Sequence, residues 1–340
     1  VEATALIVTV TLNPSIDRTL VLGRVRLGDV NYVNEVREDP SGKGINVSLA
    51  LQALGTESVI LAVVAGPTGE RLGRILDARG LTTRLICLPS GETRINTKIY
   101  EQEEGLLTEI NEHGPTVDGA TLTALREELI QTVATGDVVV FSGSLPPGCP
   151  PQTYAELGRE LQQRGARVVV DTSGPALKHT LSLRPYIVKP NLAEARQLLD
   201  LPISATPQEV VGQAGRLWQE GRAPTGTDDA GCEALILTLG RDGAYFFTPE
   251  GTYRASGPVE SGTTAGCGDA LLASSLWARQ QGLSWRESAR FATASASAAA
   301  AMIGTRFPAY PEVERRLTQV VLTTVSGVPG ASERLPRSSS

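Results

Sequence analysis

Short runs dominated by Val, Ile and Leu punctuate the chain, without the regular apolar–polar alternation of a half-exposed strand: Leu6–Thr11, Val59–Val64, Val138–Ser142, Val168–Asp171, Ile187–Val188 and Leu235–Leu239. A strand with one face in water alternates apolar and polar residues. A strand covered on both faces does not, so these runs predict a parallel sheet buried between helices. The intervening segments have helical spacing. Val47, Ala50, Leu51 and Leu54 fall at i, i+3, i+4 and i+7, with Gly55 as a C-cap, and Leu122 to Val133 and Tyr154 to Gln163 are similar, the latter ending at Gly165. Alternation of the two predicts an α/β fold with a doubly wound, mostly parallel sheet flanked by helices. A chain of 340 residues holds one large domain of this kind or two smaller ones.

Two segments break the rhythm. Thr19 to Arg37 alternates through Leu20, Leu22, Val25, Leu27, Val30, Tyr32 and Val33, and Arg94 to Glu109 alternates through Ile95, Thr97 and Ile99. Period two reads as half-exposed antiparallel strands. They form either a small second sheet, serving as a lid or dimer contact, or two unconnected edge hairpins. The Gly, Pro, Thr and Asp-rich stretch 220–231 predicts a surface loop, and the aperiodic residues 326–340 a mobile tail.

Composition excludes several classes. Lys and Arg total 31 against 37 Asp and Glu, a net charge of -6, and no basic patch suits nucleic acid. The four cysteines, Cys87, Cys149, Cys232 and Cys267, are isolated, which argues against a disulfide framework or zinc and fits a reducing cytoplasm. His113 and His179 have no metal-ligand spacing, and no G-x-S-x-G serves a hydrolase. Val1 to Leu12 reads as a first strand without a signal-peptide pattern, and no apolar run reaches membrane-spanning length.

Ligands of open α/β sheets gather beyond the carboxyl ends of strands. The densest candidate is Ser261-Gly262-Thr263-Thr264-Ala265-Gly266-Cys267-Gly268-Asp269-Ala270-Leu271-Leu272, small residues entering a helix with one carboxylate at the junction. Glycines let successive N–H groups converge, and a helix start adds unpaired donors and its positive dipole end. Such a nest attracts phosphate, and an acid beside it suggests a proton acceptor next to a migrating phosphoryl group. An ordinary capped helix start explains the same letters taken alone.

Other strand ends add to this. Asn13-Pro14-Ser15-Ile16-Asp17 presents a carboxylate that either holds sugar hydroxyls or closes an Asx turn. Ser41-Gly42-Lys43-Gly44-Ile45-Asn46-Val47 feeds glycines into a helix with Lys and Asn in its first turn, suited to a phosphorylated polyol, although no G-x-x-x-x-G-K-[ST] loop exists. Arg94 offers a guanidinium fork to phosphate. Ser142 to Gly148, with Ser144, places hydroxyls after the strongest apolar run or forms a rigid Pro-Pro turn. In Lys189-Pro190-Asn191-Leu192-Ala193-Glu194, Asn191 and Glu194 either hold Mg2+ through water or cap a helix. Thr238-Leu239-Gly240-Arg241-Asp242-Gly243 either admits a nucleotide or turns into a hairpin toward Ala244–Phe247.

In this order the segments resemble the PfkB/ribokinase family of carbohydrate kinases, from about Val8 to about Arg316. Gly42–Asn46 looks like the family's N-terminal signature and Thr264–Asp269 like its C-terminal one. Thr11-Leu12-Asn13-Pro14 with Asp17, Gly42 to Val47, Thr93-Arg94-Ile95-Asn96, Ser142–Gly148 and Val188–Asn191 resemble the branch containing 1-phosphofructokinase and tagatose-6-phosphate kinase. The resemblance implies one ribokinase-like domain over residues 1–325, with lid strands inserted at about 18–38 and 92–112. It also implies ATP, Mg2+ and a cytoplasmic homodimer joined through the lid.

By position, the resemblance makes Asp269 the catalytic base and Gly266, Cys267 and Gly268 the anion hole. It places Asp17, Gly42, Lys43, Asn46, Arg94 and Ser144 on a sugar phosphate, and Lys189, Thr238, Gly240, Asp242 and Gly243 along the nucleotide. Asn191 and Glu194 organise Mg2+ through water. The implied reaction moves the ATP γ-phosphoryl to a primary hydroxyl of a ketohexose phosphate: fructose 1-phosphate first, tagatose 6-phosphate second, fructose 6-phosphate third. The chain departs from the family's usual Ala at Cys267 and its usual Gly or Ala at Ser41, and its 220–231 stretch is long. A kinase for an unphosphorylated sugar has no use for Lys43 and Arg94 together. A nicotinamide dehydrogenase needs a G-x-G-x-x-G that is absent, and the intact Gly266–Asp269 run argues against a non-catalytic sugar-phosphate-binding regulator.

Overall fold

A computed structural model describes residues 5–220, 232–258, 266–302 and 306–326. The chain enters through β1 (Ile7–Thr11), leaves for β2 (Ser15–Leu22) and β3 (Glu35–Ser41), and returns through α1 (Lys43–Ala53), β4 (Ser58–Val64), α2 (Gly66–Ala78) and β5 (Thr82–Cys87). A second excursion makes β6 (Arg94–Glu101) and β7 (Leu106–Ile110). There follow α3 (Gly119–Thr132), β8 (Val138–Ser142), α4 (Thr153–Gln163), β9 (Arg167–Asp171), α5 (Gly174–Thr180), β10 (Ile187–Val188), α6 (Leu192–Leu198) and α7 (Pro207–Glu220). The strands β11 (Ala234–Thr238), β12 (Ala244–Thr248) and β13 (Gly251–Ser256), the helices α8 (Cys267–Gln280), α9 (Trp285–Ala300) and α10 (Tyr310–Arg316), and β14 (Val321–Val325) complete it.

The main sheet has ten strands in the order β14-β13-β12-β11-β10-β9-β8-β1-β4-β5. From β11 to β5 every pairing is parallel, while β12, β13 and β14 extend it antiparallel. The pleat explains the lack of alternation. On β8, Val139 and Phe141 join the core beneath α3 to α7, whereas Val138 and Val140 join the one beneath α1, α8 and α9. The predicted parallel strands and helices lie within a few residues of their expected ends. The Gly240 turn makes the hairpin into β12.

Strand order reverses at β1, which sits between β4 and β8. Sequence neighbours depart to opposite sides there, opening a crevice at the strands' carboxyl ends. The loops after β1 and β8 supply Asn13 and Ser144.

The small sheet runs β3-β2-β6-β7. Its pairing corrects two expectations. Residues 23–34 are not strand, because their alternating apolar side chains have no sheet face to cover: Leu27 is 94% and Tyr32 83% exposed. The two segments also meet in parallel, β2 against β6, with antiparallel partners only on the outside. Both enter from the main sheet, after β1 and after β5, and so run the same way. The stretches 221–231, 261–265 and 327–340, including the loop and tail expected there, lie outside the described residues.

Candidate active site

Two helix starts converge on the crevice. Gly42, with φ of 125°, precedes α1, and Gly266, with φ of 78°, precedes α8; no side chain caps either. Their first N–H groups therefore face the site without an intrahelical partner. α1 lies close on β1: a Cβ on Gly44 would come 2.3 Å from Thr11 Oγ1. That proximity sets Asn46 against α8, and its Nδ2 donates to Asp269 Oδ2 at 2.7 Å.

Asp269 is buried in the first turn of α8. Burial, reinforced by the charge of Asp171, pushes its carboxyl up to about 6, against the pull of Lys189, Lys43 and the Asn46 hydrogen bond. The cations belong to a buried network. Asp171, at the end of β9, pairs with Lys43 Nζ and Lys189 Nζ, each at 3.0 Å, and Lys43 also reaches Glu194 Oε1 at 3.1 Å. Burial opposes the Lys43 ammonium, but Asp171, Glu194 and Asp269 outweigh it and hold its pKa above the ordinary lysine value. Burial likewise opposes the Asp171 carboxylate, and the two lysines keep it below the usual range. Asp171 carries no local sequence motif, and its position at a strand's carboxyl end is the one signal that points to it.

A cavity of about 450 Å3 opens on this network. Lys43, Lys189, Asn191, Thr238, Gly240 and Gly243 line it together with Gly266 to Asp269. Lys189 Nζ would stand 3.3 Å from a Cβ on Gly268, so the ammonium lies directly over the glycine turn. Thr293 and Ser297 of α9 line the wall opposite, which the sequence did not reveal. Asp242 is exposed in the neighbouring turn and does not reach the cavity.

Asn191 and Glu194 form a complete capping box: Glu194 Oε2 accepts the Asn191 N–H at 2.8 Å, and Asn191 Oδ1 accepts the Glu194 N–H at 2.9 Å. Among the described residues no three His, Cys, Asp or Glu side chains cluster as a metal site. Asn191 lines the cavity and Glu194 does not, and their acceptor oxygens are already engaged by Lys43 and within the box, so the pair fits at most an outer-sphere contact to a hydrated Mg2+ that arrives on phosphates. It does not fit an ion held by protein alone.

A second polar cluster sits where the small sheet joins the body. Arg94 donates to the carbonyls of Asn13 (2.9 Å) and Glu112 (3.0 Å), and Asn13 Nδ2 donates to Ser144 Oγ at 3.5 Å. Burial lowers the Arg94 pKa, with Asp17 and Glu112 pulling back, and the guanidinium remains protonated. Asp17 Oδ1 accepts from Ser15 Oγ (3.1 Å) and Asn96 Nδ2 (3.2 Å), and Oδ2 pairs with Lys98 Nζ at 2.6 Å. Buried Asn13 Oδ1, Arg94 Nε and Asn96 Oδ1 have no hydrogen-bond partner. Lys43 and Arg94 thus belong to different clusters: the first is tied to Asp171 and Glu194, the second to the β1 and β7 loops.

The chain is similar to known proteins over most of its length. The 1-phosphofructokinase of Bacillus subtilis is 34% identical over 296 residues, covering 87% of this chain and 92% of its own. That of Rhodobacter capsulatus is 34% identical over 324 residues, 95% of this chain and 98% of its own. The crystal structure of phosphofructokinase-2 from Escherichia coli, in complex with substrates and products, superposes with a TM-score of 0.84 at 26% identity, covering 92% of this chain and 99% of that one. The model of the pfkB family of carbohydrate kinases matches residues 10–312, nearly the whole fold, and the chain belongs to that family.

Proposed function

We propose that the protein transfers the ATP γ-phosphoryl to a ketohexose phosphate, fructose 1-phosphate before tagatose 6-phosphate and fructose 6-phosphate. Asp269 carries the reading. It is a buried carboxylate with a raised pKa, in the first turn of an uncapped helix, facing a cavity that two lysines share. A base so placed accepts the proton of the primary hydroxyl as the phosphoryl arrives. The N–H groups of Gly266, Cys267 and Gly268 point at the charge that develops, and Lys189 stands over them. Asn46 fixes the Asp269 carboxylate, and Gly42 lets the backbone approach the sugar.

Thr238, Gly240 and Gly243 take the nucleotide side of the cavity. Mg2+, when bound, supplies charge neutralisation on the phosphates, and Asn191 and Glu194 would hold it through water. Asp17, Ser144 and Arg94 read the ketose and its phosphate. The curated relatives support this choice by name. The small sheet acts as a lid that limits hydrolysis of ATP by water, and it also joins two copies of the chain.

A coupled assay of ADP release with the three ketose phosphates tests the proposal. Turnover greatest with fructose 1-phosphate is expected. Release from none of them would overturn the kinase reading, and a clear preference for another would replace the substrate.

A further inference from the structure

Lys98 has no part in the scheme above, yet it makes the shortest ion pair between two strands of the small sheet. On β6 it shares one face with Arg94 and Asn96, and on β2 Ser15, Asp17 and Thr19 share the matching face. The register sets Ser15 beside Arg94, Asp17 beside Asn96 and Thr19 beside Lys98. The lysine chain therefore reaches back one step, bringing Nζ to 2.6 Å from Asp17 Oδ2, with side chains 9% and 5% exposed. Glu109, at 3.9 Å and partly in solvent, is a weaker partner. Ser15 and Asn96 hold the other Asp17 oxygen.

Without Lys98 this subsite would be ill suited to an anion. Asp17 would be a buried, uncompensated carboxylate close enough to act electrostatically on Arg94, with Glu112 nearby on the same cation. Like charge set against an incoming phosphate is costly. We propose that Lys98 is the positioning residue that makes this subsite select a phosphorylated sugar. It neutralises and pins Asp17, which then serves as an acceptor for ketose hydroxyls and leaves the charge of Arg94 to the substrate's phosphate. The inference rests on the sugar-phosphate kinase reading.

The test compares full-length wild type with Lys98→Met, Lys98→Arg, Asp17→Asn and the Lys98→Met/Asp17→Asn double variant. Each is assayed with fructose 1-phosphate, unphosphorylated fructose and varied ATP. Lys98→Met is expected to raise KM for the ketose phosphate by ~100-fold, with KM for ATP changed by less than ~3-fold. The efficiency ratio of phosphorylated to unphosphorylated sugar falls, and Lys98→Arg recovers most of it. The double variant removes both charges, and its ratio returns to within ~10-fold of wild type. Asp17→Asn leaves the lysine charge in place and raises the ratio, a readout that stands even if the buried charge prevents Lys98→Met from folding.

Equal losses with both sugars, a parallel rise in KM for ATP, or an unchanged ratio in Asp17→Asn would overturn the inference. Wild-type turnover with an unaffected Lys98→Met would overturn it alone. Absence of wild-type turnover with all three ketose phosphates would overturn the kinase reading and the inference with it.

Discussion

Asp269 is placed where a base is useful and an ionised carboxylate is costly. Asp171 and Glu194 already match Lys43 and Lys189 charge for charge, so Asp269 is the surplus negative group of the network. Its activity needs the ionised form, so kcat/KM should fall about tenfold per pH unit below about 6. Asp269→Asn should lower turnover at least ~100-fold while ATP still binds, measured by single-turnover assay and by titration calorimetry. Stability moves the other way. The folded pKa lies above that of the unfolded chain, so the penalty of ionisation is absent below the unfolded value and complete above about 6. Asp269→Asn should therefore melt higher than wild type near pH 8, and the gap should close as pH falls through 6 toward 4. A gap independent of pH would remove the assignment. The Asp269 motif is legible because it is contiguous. Asp171 is not, since its meaning depends on lysines delivered by α1 and by the end of β10.

The two uncapped helix starts show how much of an element's role comes from its neighbours. α1 was legible as a helix from its spacing, and its glycines as a loop-to-helix transition. That Gly44 is also the contact point with β1 appears only in three dimensions, where Thr11 Oγ1 occupies the space of a side chain. Gly44→Ala should cost about 1–3 kcal/mol by overpacking, seen as a lower urea midpoint at unchanged m. It should also push Asn46 off Asp269 and lower kcat more than KM for ATP. A stable variant with normal kcat would show that the contact yields without moving the site. The small sheet follows the same rule. Its alternation announced strands, but their parallel pairing follows from a main-sheet crossover that no local pattern records, and residues 23–34 alternate without a face to cover.

Among the described residues, exposed apolar side chains are unevenly spread. Ile203 on the body and Val321 on β14 stand singly, as is usual on protein surfaces. Leu27, Val30, Tyr32, Val33, Val36, Leu106 and Ile110 all belong to the small sheet and the loop between its first strands. Val36 lies on one outer strand, β3, and Leu106 and Ile110 on the other, β7. A concentration of this kind marks an interaction surface. A second copy of the chain presents the same patch, and a two-fold contact covers both at once. The same region carries Asp17, Lys98 and Arg94 on its buried side, so covering the outer residues would steady the proposed sugar subsite. Light scattering at micromolar concentration should give twice the 35.9 kDa chain mass. Tyr32→Asp/Val36→Asp should give a monomer that melts as a folded protein and has a raised KM for the ketose phosphate. A monomeric wild type would rule out the dimer, and a variant that remains dimeric would move the interface elsewhere. A monomeric variant with unaltered KM would leave the dimer in place and separate it from substrate binding.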